Sequence, residues 1–141
     1  MAIWNQSPTL ESLNHQLKGN MCEHVGIEIT DIGDDYLVGT LPVDKRTVQP
    51  MGLLHGGANV VLAETLGSIA ANLACGNDQY CVGLEINANH LKSATSGKVT
   101  GTARPVHIGR STQVWEIRIE NEQGSLTCIS RLTMAAKSNR G

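Results

Sequence analysis

The sequence predicts an α+β domain in which a strongly curved antiparallel sheet of six strands wraps one long buried helix. Three observations predict it. In the segment from 58 to 74, Val60, Val61, Leu62, Leu66, Ile69 and Leu73 point nearly all round a helix, a pattern that suits a buried helix and not a surface one. The stretches on either side alternate apolar and polar residues at a period of two, as half-buried strands do. The 141 residues contain no linker, repeat or low-complexity tract, so the chain is read as one domain, 1–141. That length buries a core without help from disulfides or metal.

The elements follow in order. Thr9 stands where it can cap a short N-terminal helix, with Leu10, Leu13 and Leu17 at helical spacing. Val25, Ile27 and Ile29 alternate and predict a first strand. Gly33-Asp34-Asp35 is a turn, and Leu37, Gly39, Leu41 and Val43 alternate again, so the two strands form a hairpin. A loop from Asp44 to Gly57 carries Gln49, Pro50, His55 and glycines into the long helix, which at 1.5 Å per residue is roughly 25 Å long. After Gly76-Asn77-Asp78 the period returns to two. Val82, Leu84, Ile86, Ala88 and His90 share one face of a third strand. Val99 to Ile108 is a fourth, broken near Pro105. Trp115, Ile117 and Ile119 mark a fifth. Asn121 to Gly124 turns the chain into a sixth, marked by Leu126, Cys128, Leu132 and Met134.

Composition narrows the function. A net charge of −2, with the basic residues scattered, offers no footprint for nucleic acid or an anionic membrane surface. No apolar run approaches a membrane span, and Met1 to Gln6 has no signal-peptide pattern, so a cytoplasmic location is expected. Cys22, Cys75, Cys81 and Cys128 lack C-x-x-C spacing and read as free thiols, buried or half-buried. The histidines lack H-E-x-x-H or Cys/His pairing, so no metal site and no cofactor are expected. There is no G-x-S-x-G, and no Cys sits beside a plausible base. Phe is absent, so an aromatic-lined pocket must draw on Trp4, Trp115, Tyr36, Tyr80 or a partner chain.

Residues 49 to 68 hold the candidate chemistry. Gly56 and Gly57 open the long helix, where unpaired N–H groups and the positive end of the helix dipole can hold a carbonyl oxygen that becomes an oxyanion. Gln49 and His55 bring further hydrogen-bond donors. Glu64 is the one carboxylate inside this apolar helix, with Ser68 one turn on. On pattern alone it is either a poorly solvated general base or nucleophile, or part of an exposed polar stripe with Thr65, Ser68 and Asn72. His90 is likewise either a satisfied core histidine or a site residue.

The motifs Asp44-x-Arg-Thr-x-Gln-Pro, Leu54-His-Gly-Gly, Leu62-Ala-Glu-Thr-Leu-Gly-Ser and Val82-Gly-Leu-Glu-Ile-Asn-Ala-Asn-His resemble the hotdog-fold acyl-CoA thioesterases. The branches nearest in look act on 1,4-dihydroxy-2-naphthoyl-CoA in menaquinone synthesis or proofread enterobactin synthesis. The similarity runs from Ile3-Trp4 to about Ala135. It implies hydrolysis of an acyl-CoA, aromatic in its acyl group, by a homodimer with shared sites, usually paired into a homotetramer. An acyl carrier protein is a further candidate partner.

Carried over by residue, the resemblance implies Glu64 as the catalytic carboxylate and Gly56 as backbone donor to the thioester carbonyl. Gln49 and His55 match polar groups beside the thioester, and Ser68 matches the helper of the carboxylate. His90 matches a residue of the acyl pocket and its approach, and Val82, Gly83 and Leu91 are further substrate-binding candidates. Lys92, Ser93, His107, Ile108, Gly109, Arg110, Ser111 and Thr112 match the segments that receive coenzyme A. Met51 stands where relatives usually have Phe, and Lys92 where a relative has Arg. Two other activities share the fold expectation. A hydratase or dehydratase would want a His and a carboxylate poised at neighbouring acyl carbons, and a non-enzymatic acyl-CoA-binding module would need no carboxylate.

Overall fold

The computed structural model describes residues 1–139. Helix α1 (Leu10–Gln16) begins at a reciprocal cap, in which the Thr9 hydroxyl accepts from the Ser12 N–H and Ser12 Oγ accepts from the Thr9 N–H. A second short helix, α2 (Met21–Val25), follows. Strands β1 (Glu28–Ile32) and β2 (Leu37–Pro42) form the expected hairpin. Then come α3 (Gly56–Ala74), β3 (Gln79–His90), β4 (Lys98–Ile108), β5 (Thr112–Glu120) and β6 (Leu126–Ser138). The six strands make one antiparallel sheet in the order β1-β2-β4-β5-β6-β3.

The sequence placed Val25 in the first strand, and the structure places it in α2. Asn20 caps that helix by accepting from the Cys22 N–H, and Gly26 ends it at φ 89°. Val25, Ile27 and Ile29 are all buried, so the alternation is real, but its first member belongs to a helix.

Helix α3 lies against the concave face of the sheet, touching β2 to β6. Leu62, Ala63, Leu66 and Ala70 are fully buried and meet Leu41, Val99, Ile117 and Leu132 in a single core. The N-terminal segment seals the far end of the helix. The Asn5 side chain donates to the Ala74 and Cys75 carbonyls, which have no acceptor role left inside the helix. Trp4 stacks on buried Trp115 with centroids 6.1 Å apart. Both tryptophans are thereby spent on the core. Cys22 is half-buried and the other three thiols are buried, as the composition suggested.

The largest departure from the sequence reading lies in β3. Its partner β6 has Met134 opposite Gly83 and Thr133 opposite Glu85, so Leu84 is an extra residue in a bulge. The bulge shifts parity by one. Ile86, Ala88 and His90 face buried Leu132, Ser130 and Cys128, but before the bulge it is Cys81 and Gly83 that face the helix side. Val82 and Leu84 leave the expected common face, and Leu84 is 61% exposed. β3 is also a sheet edge, so one side of its backbone has no partner strand among the described residues. The break foreseen near Pro105 is another register shift, between Pro105 and His107.

Candidate active site

The loop before α3 is a clamp. Arg46 binds Asp44 through two guanidinium nitrogens, at 2.7 Å for the shorter contact. The side-chain bond from Arg46, then its backbone N–H, holds the Asp44 carboxyl down at about 2. Thr47 Oγ1 donates to the Pro42 carbonyl at 2.7 Å, and the Thr47 carbonyl accepts from the His55 N–H at 2.8 Å. Leu54 N–H donates to Ala94 O, which ties the loop to the segment after β3. The Asp44-x-Arg-Thr motif therefore sets loop geometry and contributes no group to the cavity.

That clamp presents the start of α3. His55 is the N-cap, with Nδ1 accepting from the Gly57 N–H at 2.8 Å. The sequence left both glycine N–H groups open, but the His55 ring occupies that of Gly57. The Gly56 N–H has no acceptor among the described residues. Gln49 uses Oε1 to accept from the Met51 N–H, which leaves its Nε2 as a free donor. Gln49, Gly56, Asn59, His90, Lys92 and Ser93 line a cavity of about 420 Å³ at this end of the helix. A carbonyl oxygen entering it meets an unpaired N–H with the helix dipole behind it.

Glu64 lies at the other end of the site. It is exposed in the single chain, so of the two environments the pattern left open the solvated one holds there. Its Oε2 rests against Gly83, 2.8 Å from where a Cβ would stand, so the bulged strand makes room for the carboxylate. Ser68 is half-buried one turn on, beside a second cavity of about 330 Å³ shared with Gln6, Gln16 and Asn72. No hydrogen bond joins Ser68 to Glu64 among the described residues. Neither cavity has an aromatic lining.

The predicted residues thus separate into two groups. Gln49, His55, Gly56, His90, Leu91, Lys92 and Ser93 gather at the N-terminus of α3. Glu64, Ser68, Val82 and Gly83 lie further along it. The β4–β5 turn, His107 to Thr112, belongs with this second group, because Thr112 pairs with Ala135 and Ala135 with Val82 across the sheet. There the Gly109 N–H donates to Thr112 O, and the Arg110 carbonyl accepts from Gln79 Nε2. Gly56 and Glu64 are eight residues apart on one helix, which is roughly 12 Å along its axis. The helical rise alone therefore sets the two backbone positions well apart within one chain.

The sequence reading missed Leu53, Leu54, Asn59, Ala94 and Thr127 of the first cavity, and Asn59 is the one among them with a buried polar atom lacking a partner. Asn59 is 5% exposed, its Nδ2 lies 3.3 Å from His90 Nδ1, and its Oδ1 is buried without a partner. The signal was present as the one amide among the apolar residues of the first turns of α3, at a position where helical asparagine is unfavourable.

Comparison with known proteins identifies the family. The thioesterase superfamily model matches residues 51–128. The 1,4-dihydroxy-2-naphthoyl-CoA hydrolase of Escherichia coli is 54% identical over 94% of this chain and 98% of its own. The proofreading thioesterase EntH of Cronobacter turicensis is 52% identical over 94% and 97%. A thioesterase of Haemophilus influenzae superposes with a TM-score of 0.96 at 47% identity, over 99% of this chain and 97% of that one. A sheet wrapped on one long helix, a whole-chain match to solved thioesterases and an identity near one half leave a single assignment: the chain belongs to the thioesterase superfamily, as a hotdog-fold thioester hydrolase.

Proposed function

We propose that the enzyme hydrolyses the thioester of an aromatic acyl-CoA, such as a dihydroxynaphthoyl or benzoyl ester, at sites built from two copies of the chain. The observation that carries this is the division of the site. A free N–H at Gly56 and a carboxylate at Glu64 are the two groups hydrolysis needs, and one helix holds them roughly 12 Å apart. A second copy supplies the missing half. Antiparallel pairing of two β3 edges about their middle, near Ile86 and Asn87, sets Gly83 of one strand near His90 of the other. That brings Glu64 of one copy to Gly56 of the other. The relative named a 1,4-dihydroxy-2-naphthoyl-CoA hydrolase supports the substrate class. Such dimers paired into a tetramer, working in the cytoplasm, complete the proposal. No helix among the described residues is long and apolar enough to cross a membrane.

In this reading the thioester carbonyl oxygen accepts from the Gly56 N–H, with Gln49 and His55 beside it. Glu64 takes a proton from water, and the hydroxide oxygen bonds to the carbonyl carbon. The C–S bond breaks, the thiolate leaves, and a proton returns to sulfur. Alternatively a Glu64 oxygen bonds to the carbonyl carbon, the C–S bond breaks as the thiolate leaves, and water adds to the Glu64 carboxyl carbon of the resulting anhydride to release the acid. Single turnover in ¹⁸O water separates the two, since only the anhydride route leaves label in Glu64. Ser68 steadies the carboxylate or its water. Lys92 and Ser93 from one copy, and His107 to Thr112 from the other, receive the phosphates and pantetheine arm.

Thiol release from a panel of naphthoyl, benzoyl and aliphatic CoA esters tests the substrate class, and faster aliphatic than aromatic turnover would end it. Glu64→Gln preserves size and should lower kcat by at least about 10²-fold, the usual scale of general-base catalysis. An inert acyl-CoA analogue should still bind. A folded variant within about threefold of wild type would remove Glu64 from the mechanism.

A further inference from the structure

We propose that Asn59 is a positioning residue for His90, fixing both the orientation of the imidazole and the nitrogen that carries its proton. The proposal rests on the reading of Gly56 as the carbonyl-binding donor. Asn59 stands in the first turn of α3, 95% buried by its 5% exposure, and its amide meets the last residue of β3. A buried amide whose oxygen has no partner among the described residues costs stability, so its presence calls for a purpose.

The geometry says what the pair does. With Nδ2 at 3.3 Å from Nδ1, the amide donates and the ring accepts. A half-turn of the amide would pair its oxygen with a protonated Nδ1, but would bury both amide N–H groups without an acceptor. Orphaned N–H groups are rarer than orphaned carbonyl oxygens, which favours the amide as donor. Nδ1 is then bare, and the neutral ring holds its proton on Nε2. Nε2 lies 2.9 Å from the point where a Gly56 Cβ would stand. Asn59 therefore holds an N–H donor directly beside the residue whose own N–H is free. The ring becomes a second donor at the mouth of the helix, aligned before substrate arrives.

The test uses the full chain with ¹⁵N-labelled histidine, read by long-range ¹H–¹⁵N spectra and assigned with His90→Gln. Wild type should show His90 as the neutral tautomer protonated at Nε2. Asn59→Asp is nearly isosteric but offers only acceptors, so it should move the proton to Nδ1. Asn59→Ala should give averaged tautomers, and with benzoyl-CoA a kcat lower by about tenfold with KM within about twofold, less than the full loss of an oxyanion donor. A wild-type ring protonated at Nδ1 would overturn the proposal. So would an Asn59→Ala ring with unchanged tautomer, whatever its kcat, since that outcome describes packing alone. The wild-type spectrum decides the tautomer even where a variant fails to fold. If aromatic CoA esters are not turned over, the proposed substrate class fails while the spectrum still decides the role of Asn59.

Discussion

At the scale of single residues, one glycine and one ion pair carry most of the site's shape. Gly83 leaves room for Glu64, and a methyl group there would stand 2.8 Å from Oε2. Gly83→Ala should displace the carboxylate and lower kcat by about tenfold or more, since small misplacements of a reacting group are costly. Its melting temperature should stay close to wild type, because both groups are exposed. Unchanged kcat would show that the carboxylate acts from another position. Asp44 gives a pH prediction. Its carboxyl is held at about 2 against an ordinary 3.8, so the Arg46 pair stabilises the fold fully above about 3.8 and fades as pH falls through 2. Asp44→Asn should be less stable than wild type at neutral pH. Urea unfolding should show the gap narrowing between roughly pH 5 and pH 2. A constant gap would mean that the loop depends on Asp44 for shape alone. Glu64, Gly56, Gln49 and His55 were legible as candidates because each is a polar or bare residue in an apolar or loop setting. Asn59 showed only as a lone amide in an apolar helix; its role was not legible, because its importance comes from His90, 31 positions away.

At the scale of elements, periodicity identified all six strands and the long helix, and it failed at bulges and caps. Nothing in an alternating run from Val82 to His90 marks Leu84 as the extra residue, since the shift is defined by pairing with β6. Helix α2 was hidden for a related reason: five residues are too few to show a helical period, and only the Asn20 cap and Gly26 mark it. The β4–β5 turn is a separate test of the coenzyme A assignment. Arg110 is exposed on it, and its backbone is anchored by Gln79, so its side chain can be removed without loosening the turn. Arg110→Ala should raise KM for an acyl-CoA more than it lowers kcat. The effect should shrink as salt screens the phosphates. An unchanged KM would move the nucleotide elsewhere.

At the scale of the whole molecule, the division of the site predicts complementation. A Glu64→Gln chain keeps the helix N-terminus, and a Gln49→Ala/His55→Ala chain keeps the carboxylate. Each variant alone should be weak. In a mixed dimer with shared sites, one site receives both defects and the other receives none. Equal mixing and reassembly should therefore restore about a quarter of wild-type turnover, by the symmetry of random pairing. Activity no higher than the mean of the two variants would place the whole site within one chain.

The sequence by itself determined the buried helix, the six strands, the family motifs and the identity of the candidate carboxylate and glycine. These follow from local periodicity and from residue types that are costly where they stand. Only the tertiary structure decided that Gly83 and not Val82 lies under Glu64, that the Asn59 amide meets His90, and that the predicted residues fall into two groups. The physical reason is the same in each case. A strand's alternation is local, but the face it presents is set by register with its neighbour. A helix's composition is local, but its rise of 1.5 Å per residue keeps Gly56 and Glu64 apart within one chain.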